Sequence, residues 1–253
     1  MKSNSIQVYM LAFSYAIFSF AVYIPSQKMD IYDWLKVFIL GTAVGVFAII
    51  LTYSKKSVST WVEVILLFYF IFLLSSKIYA VWRYTKLYHN RETADSIMIV
   101  TLIMILIFVA YHNIEIKKFA TPLFIFSAMI IVLAILLNWG KISRYNIYAY
   151  TKNTQSATRY RVTMFDYIIP AVWLGNKLNF DNRKNIILFF VSINIILLLV
   201  TLFSFGCFRG DYMYSISPLQ AVFQLSSTES IRNFDGVFYF LLIFAYFGAI
   251  LLI

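Results

Sequence analysis

Long, nearly uncharged apolar runs recur along the whole chain, and they limit its possible folds more than any other feature. Apolar residues make up 62% of the 253 residues, whereas a typical soluble domain contains about 45–50%. A helix that crosses a bilayer needs about 20 mainly apolar residues, and inside the hydrocarbon only helices and closed barrels satisfy their backbone hydrogen bonds. The sequence therefore predicts an integral membrane protein of the all-α class.

The apolar runs predict a polytopic bundle of about eight transmembrane helices. Their predicted ranges are 6–25, 34–53, 60–81, 96–111, 120–137, 163–175, 185–205 and 235–253. Short connectors join the first five, so neighbouring helices in that part are expected to run antiparallel. Two longer connectors suggest a division into a first five-helix repeat over residues 1–139, a basic connector over 140–162, and a second, incomplete repeat over 163–253.

The net charge of +10 is explained by a membrane rather than by a nucleic acid. The 21 basic residues lie in connectors between apolar runs and do not form one stripe. Basic connectors usually lie beside anionic lipid headgroups. The expected partner of these charges is the lipid bilayer, and no nucleic-acid partner is expected.

Chemistry-bearing motifs are sparse in this sequence. Cys207 is the single cysteine, which excludes an intrachain disulfide, and His89 and His112 form no metal-ligand pattern. There is no glycine-rich phosphate loop, nucleophile elbow or His-Glu-x-x-His motif. We therefore expect no enzyme activity, no metal and no cofactor.

The run 163–175 is the least regular of the predicted helices. It contains Pro170, and Asp166 lies just before its apolar part. Proline removes a backbone donor and clashes with the preceding turn, which membrane helices tolerate where protein or a water-filled cavity satisfies the freed groups. The run 6–25 also ends in a proline, Pro25. Two proline-interrupted segments at corresponding places in two halves of a chain point to a substrate site.

Single polar residues within the apolar runs are expected to stabilise helix packing. Such side chains usually make interhelical hydrogen bonds worth about 1 kcal/mol. The residues concerned are Ser14, Ser127, Asn138, Ser192, Asn194 and Thr201. Ser19 belongs to the same class but lies ahead of Pro25, in the segment where a helix break is expected.

Two stretches of the sequence carry a family resemblance. The first is IQVYMLAFSYAIFSFAVYIP followed by DIYDWLKVFILG, where a first helix ends in an apolar-Pro step and a short polar turn leads to the Asp-Trp start of the second. The later stretch contains Phe205-Gly206, Pro218 and Arg232-Asn233-Phe234-Asp235. Both resemble the spore germination permease family, the GerAB-like B subunits of nutrient germinant receptors, within the amino acid/polyamine/organocation transporter superfamily.

The resemblance implies a LeuT-like fold of two inverted five-helix repeats, with helices one and six unwound around the ligand. Family members have ten helices, so this chain, with eight, resembles a C-terminally shortened member that lacks the last two. It also differs from the family in the middle of helix one, where Ile17-Phe18-Ser19-Phe20-Ala21 replaces the usual small residues.

By this resemblance the chain would be a membrane subunit of a spore germinant receptor, in a bacterial cell membrane or spore inner membrane. It would recognise a small nutrient, most simply an amino acid, and signal germination together with the A and C subunits. The expected ligand-binding residues, at the helix breaks Pro25 and Pro170, are Phe18, Ser19, Tyr23, Thr163, Phe165 and Tyr167. Two alternatives remain open, an amino acid secondary transporter and a truncated, non-signalling remnant.

Overall fold

All the secondary structure in the described part of the chain is helical. The computed structural model describes residues 2–22, 31–54, 120–144, 146 and 183–207, together with helical positions 64, 68, 71, 75, 79, 100, 103, 104, 107, 108 and 111. The continuous helices are α1 (Lys2–Val22), α2 (Ile31–Ser54), α3 (Ala120–Asn138) and α4 (Arg183–Cys207), and a 3-10 turn, Trp139–Lys141, follows α3.

Helices α2 and α4 are long enough to cross a bilayer. They contain 24 and 25 residues, which corresponds to about 36 and 38 Å, compared with about 30 Å of hydrocarbon in a typical bilayer. Their segments Ile31–Ile50 and Lys184–Cys207 pass this test by length and apolar composition. The apolar stretches described in α1 and α3 are shorter, Ile6–Ile17 and Ala120–Leu133.

The proline within the described helices lies at a position that an α-helix tolerates. Pro122 lies in the first turn of α3, where the missing N–H would have no helical acceptor in any case. Helix α1 is described from Lys2 to Val22, and Pro25, which closes the first apolar run, lies outside the described residues.

Helices α1 and α3 run parallel and pack closely on each other. Three pairs of side chains join them in increasing order along both helices. Thr121 Oγ1 donates to Met10 Sδ at 3.7 Å, the rings of Phe13 and Phe124 are 5.1 Å apart, and the hydroxyls of Ser14 and Ser127 are 3.4 Å apart. Because both residue numbers rise together, the two helices point in the same direction.

Helix α2 runs antiparallel to α1. Phe20, near the end of α1, lies 5.4 Å from Trp34 and 5.8 Å from Phe38, both near the start of α2, measured between ring centroids. Trp34 and Phe38 are themselves 6.1 Å apart. The last turn of α1 is therefore joined to the first two turns of α2 by a three-ring cluster.

Helix α4 runs parallel to α1 and α3. The rings of Tyr9 in α1 and Phe189 in α4, both in the first halves of their helices, are 4.6 Å apart. At the other end, Cys207 Sγ donates to the backbone carbonyl of Asn138 at 3.6 Å, which brings the last residues of α3 and α4 together. Helix α2 packs mainly on α4, and α1 contacts both α3 and α4.

Helix α1 occupies the centre of the described bundle. Its five consecutive residues 11–15 are all buried, and at about 3.6 residues per turn five successive side chains point all around a helix. Among the described side chains of α3, the buried ones form a stripe. The stripe consists of Ala120, Leu123, Ser127, Ile131 and Asn138.

A close contact joins α2 and α4. A Cβ atom added at Gly45 would overlap the ring of Phe190, so the two helices approach each other at a point where any larger residue would interfere. Gly41 lies one turn earlier in the sequence Gly-Thr-Ala-Val-Gly and is also buried. Glycines four residues apart allow close approach of membrane helices, and here the ring of Phe190 fills the space at the second glycine.

The prediction of an all-helical architecture is confirmed for the described residues, and four helix ranges agree closely. The ranges 6–25, 34–53, 120–137 and 185–205 correspond to α1, α2, α3 and α4. The helical positions between 64 and 111 fall within the predicted ranges 60–81 and 96–111. The ranges 163–175 and 235–253 lie outside the described residues. The total of eight helices, the division into repeats and the LeuT-like arrangement remain predictions.

Candidate functional site

Two of the six predicted ligand-binding residues lie in the described helices. Phe18 and Ser19 belong to the last two turns of α1, which is continuously helical from Lys2 to Val22. Backbone amides inside a helix donate to the carbonyl four residues earlier, so the amides of Phe18 and Ser19 are occupied within α1. Tyr23, Thr163, Phe165 and Tyr167, with the predicted breaks at Pro25 and Pro170, lie outside the described residues.

The end of α1 that carries Phe18 and Ser19 is fixed by aromatic packing. Phe20 and Trp34 are buried, and Trp34 is completely enclosed. Their edge-to-face contact at 5.4 Å is the geometry that aromatic pairs favour, worth about 0.5–1.5 kcal/mol beyond the burial of area. A ligand held next to the end of α1 would therefore act on α1 and α2 together.

One turn before Phe18, a buried pair of serines connects α1 to α3. The Oγ atoms of Ser14 and Ser127 lie 3.4 Å apart, and these hydroxyls are also within donating distance of the Met10 and Phe124 carbonyls, at 3.0 and 2.9 Å. A hydroxyl carries one proton, so the bond between helices replaces one of the backbone bonds. The contribution of the pair to stability is accordingly modest. The predicted interhelical role of both serines is confirmed.

The polar residues of α4 behave differently from that prediction. Thr201 and Ser192 donate to carbonyls of their own helix, those of Leu197 and Leu188, both at 2.8 Å. Asn194 likewise donates from Nδ2 to the Phe190 carbonyl at 3.0 Å. A side chain that bonds to the preceding turn of its own helix needs no partner in a second helix. A polar residue within an apolar run therefore does not by itself indicate an interhelical hydrogen bond.

Asn194 also carries a second buried polar atom. Its side chain is 3% exposed, and its Oδ1 accepts no hydrogen bond from the described ranges. It follows Phe190, the residue that packs against Gly45 of α2, by one turn. A buried acceptor left without a donor costs about 1–3 kcal/mol. Asn194 is therefore an energetically costly polar position in α4.

The segment after α3 closes the C-terminal end of α4. The Ser143 N–H and Asn146 Nδ2 both donate to the Gly206 carbonyl, at 2.9 and 3.0 Å. The last carbonyls of a helix receive no hydrogen bond from within the helix. Ser143 and Asn146 supply donors to one of them, the Gly206 carbonyl. The first residues of the predicted basic connector are thus attached to the bundle, a role that sequence spacing alone did not indicate.

The outward faces of the described helices are apolar. Phe47 on α2, Leu136 on α3 and Leu188 on α4 are 61%, 65% and 71% exposed. Exposed side chains also recur at helical spacing in the predicted third and fourth helices. Those on the third are Val64, Phe68, Ile71 and Tyr79, and those on the fourth are Val100, Ile103, Met104, Ile107, Phe108 and Tyr111. Each set shares one helix face.

No group of three or more metal-ligating side chains occurs among residues 2–22, 31–54, 120–144, 146 and 183–207 or the single described positions. The same residues include one acidic side chain, Asp33, which is buried. The described part of the bundle is therefore an apolar scaffold with isolated polar positions.

No protein-family model, curated protein or solved structure matches this chain.

Proposed function

We propose that this chain is an integral membrane protein of a bacterial cell membrane or spore inner membrane, and that its outward helix faces contact lipid. The supporting observation is the exposure of large apolar side chains on α2, α3 and α4 and on both sets of single helical positions. Soluble monomers rarely expose apolar patches larger than a few hundred Å². Contact with the lipid hydrocarbon would remove the free-energy cost of exposing these apolar faces to water.

Within the membrane, the proposed function is recognition of a small nutrient, most simply an amino acid, as the membrane subunit of a spore germinant receptor. The motifs that resemble the germination permeases support this proposal. By the same resemblance the chain would act with the A and C subunits. The ligand would bind where α1 ends, near Phe18 and Ser19, opposite the segment that carries Thr163, Phe165 and Tyr167.

The packing of α1 provides a route from such a site to the rest of the bundle. Helix α1 is enclosed on all sides over residues 11–15 and touches α2 through Phe20, α3 through Ser14 and α4 through Tyr9. A ligand changes a conformational equilibrium only if it binds two states with different affinity. A shift of α1 that improves ligand contacts would alter all three packing surfaces, which suits a sensor.

The site assignment is tested by the germination response of spores that carry Ser19→Leu or Tyr167→Ala. We expect both to require more nutrient for germination, with the chain still present in the membrane. The matched control is Ser75→Leu, at an exposed helical position whose hydroxyl donates to the Ile71 carbonyl at 2.9 Å. Unchanged nutrient sensitivity in both site variants would contradict the site, and an equal loss in the control would point to general damage.

A second candidate function is secondary transport of amino acids, because sensors and transporters of this superfamily resemble each other in fold. Uptake of a labelled amino acid by vesicles that contain this chain alone would distinguish them. Accumulation against a gradient identifies a transporter. Saturable binding without accumulation identifies a sensor.

Membrane integration is tested separately from ligand recognition. We expect the full-length chain to stay with the membrane after alkaline carbonate washing and to be extracted by detergent. Release into the aqueous fraction would contradict the membrane location, whatever the nutrient response.

A further inference from the structure

The outward stripe of α3 leads to a tryptophan. Ile125, Met129, Val132 and Leu136 follow one another at intervals of four, three and four residues and are all exposed. They therefore lie on one face of the helix. Trp139 comes three residues later, in the 3-10 turn, and is 66% exposed. Tryptophan is enriched where the hydrocarbon meets the headgroups, because its ring is apolar and its N–H is polar.

Positive charge begins immediately after this tryptophan. Helix α3 has no charged residue over its 19 positions, and Lys141 and Arg144, both exposed, are the first cations that follow it. Two exposed cations thus follow the exposed tryptophan directly in the chain.

The backbone around these cations is attached to the bundle. Ser143 and Asn146, on either side of Arg144, both bind the Gly206 carbonyl of α4. Lys141 belongs to the short turn that continues α3. A backbone held in place loses less freedom when its side chains bind a ligand. Trp139, Lys141 and Arg144, which this backbone carries, are here called the interfacial patch.

We propose that the interfacial patch binds the headgroup of an anionic phospholipid whose acyl chains lie along the exposed stripe of α3. The guanidinium and ammonium groups are suited to the headgroup phosphate. The tryptophan ring lies at the depth of the acyl-chain ends nearest the headgroup. The proposal rests on the membrane location proposed above, and it adds a defined lipid site to it.

The test measures which lipid touches Trp139. The full-length chain is reconstituted into vesicles that contain phosphatidylglycerol and phosphatidylcholine, one of which carries brominated acyl chains that quench tryptophan fluorescence on contact. The difference in quenching between the native chain and Trp139→Phe gives the contribution of Trp139. We expect brominated phosphatidylglycerol to quench this contribution more strongly than brominated phosphatidylcholine at the same mole fraction.

Neutralising the patch should remove the preference. A basic residue near an anionic surface contributes about 1 kcal/mol, which corresponds to about a fivefold change in relative lipid association. Lys141→Gln and Arg144→Gln should each reduce the preference by about fivefold, and the double variant should abolish it. The matched control is Arg183→Gln with Lys184→Gln, at the opposite end of α4, which should leave the Trp139 signal unchanged.

Three results would overturn the proposal. They are equal quenching of Trp139 by both lipids, a preference that survives in the double variant, and no loss of quenching in Trp139→Phe. Raising the ionic strength with the native chain should weaken the preference because salt screens exposed charges, and this measurement needs no variant. Release of the chain by carbonate would contradict the membrane location itself, whereas a retained chain without lipid preference contradicts the patch alone.

Discussion

The ring of Phe190 in α4 occupies the space that a side chain at Gly45 in α2 would need. This relationship fixes the distance between two helices that are each long and apolar enough to cross a membrane. It also makes Gly45 a position where the smallest possible enlargement has a defined consequence.

Gly45→Ala is expected to destabilise the protein by about 1–2 kcal/mol. Overpacking usually costs about 1–3 kcal/mol, and the better helix propensity of alanine offsets up to about 1 kcal/mol. The measurement is the thermal unfolding midpoint of the purified chain in detergent. Gly140→Ala is the control, because a Cβ there meets nothing within 4 Å. Phe190→Leu should partly rescue Gly45→Ala, and strict additivity of the two changes would contradict the contact.

Truncating the aromatic cluster between α1 and α2 should have a larger effect. Phe20→Ala and Trp34→Ala remove rings that are 5% and 0% exposed, and such changes cost about 3–5 kcal/mol. The same unfolding measurement checks this. Phe47→Ala, at an outward position that is 61% exposed, should change the midpoint little. Similar losses at all three positions would mean that the ring cluster does not hold the two helices together.

The serine pair between α1 and α3 should show weak but measurable coupling. In a double-mutant cycle of Ser14→Ala and Ser127→Ala we expect a coupling energy of about 0.6 kcal/mol, the average for hydrogen bonds between membrane helices. The value is small because each hydroxyl is also within reach of a carbonyl of its own helix. Ser192, which is exposed and bonds within α4, provides the control pair with Ser14. A coupling energy of the same size in that control pair would contradict a specific hydrogen bond between Ser14 and Ser127.

An arginine in the middle of the outward face of α4 should distinguish lipid from water around the bundle. Ile195 is 51% exposed and lies near the centre of the segment Lys184–Cys207. If lipid surrounds it, Ile195→Arg costs about 2.5–3.5 kcal/mol of insertion free energy, and the amount of chain retained after carbonate washing falls. If water surrounds it, the same change leaves folding intact and raises solubility. The buried Ile193→Arg should damage folding in either case.

The positions of the helices were predictable because an apolar run long enough to span a bilayer has few other uses. The start of α1 was less predictable. The helix begins at Lys2, four residues before the predicted start, because Ser3, Asn4 and Ser5 continue the helix although they are not apolar. Its predicted end at Pro25 lies outside the described residues and stays a prediction.

Partners between helices were much less predictable than the helices themselves. The sequence predicts that Ser14 and Ser127 pack between helices, but they are 113 positions apart and nothing in either local sequence connects them. The two glycines at positions 41 and 45 indicate that α2 approaches another helix closely. They do not indicate that the partner is Phe190 of α4. At the candidate site, sequence patterns locate Phe18 and Ser19 near the end of α1, while the route from that end to α2, α3 and α4 emerges from the packing.

The common direction of α3 and α4 has a consequence for membrane topology. The described segment after α3 reaches Asn146, next to Gly206 at the end of α4, and the described residues resume at Arg183, the first residue of that helix. Between these points the chain has to cover the length of α4, about 38 Å. If α4 spans the bilayer, the chain crosses the membrane an odd number of times between residues 146 and 183. Accessibility labels placed at residues 146 and 183 should then react with reagents added on opposite sides of the membrane.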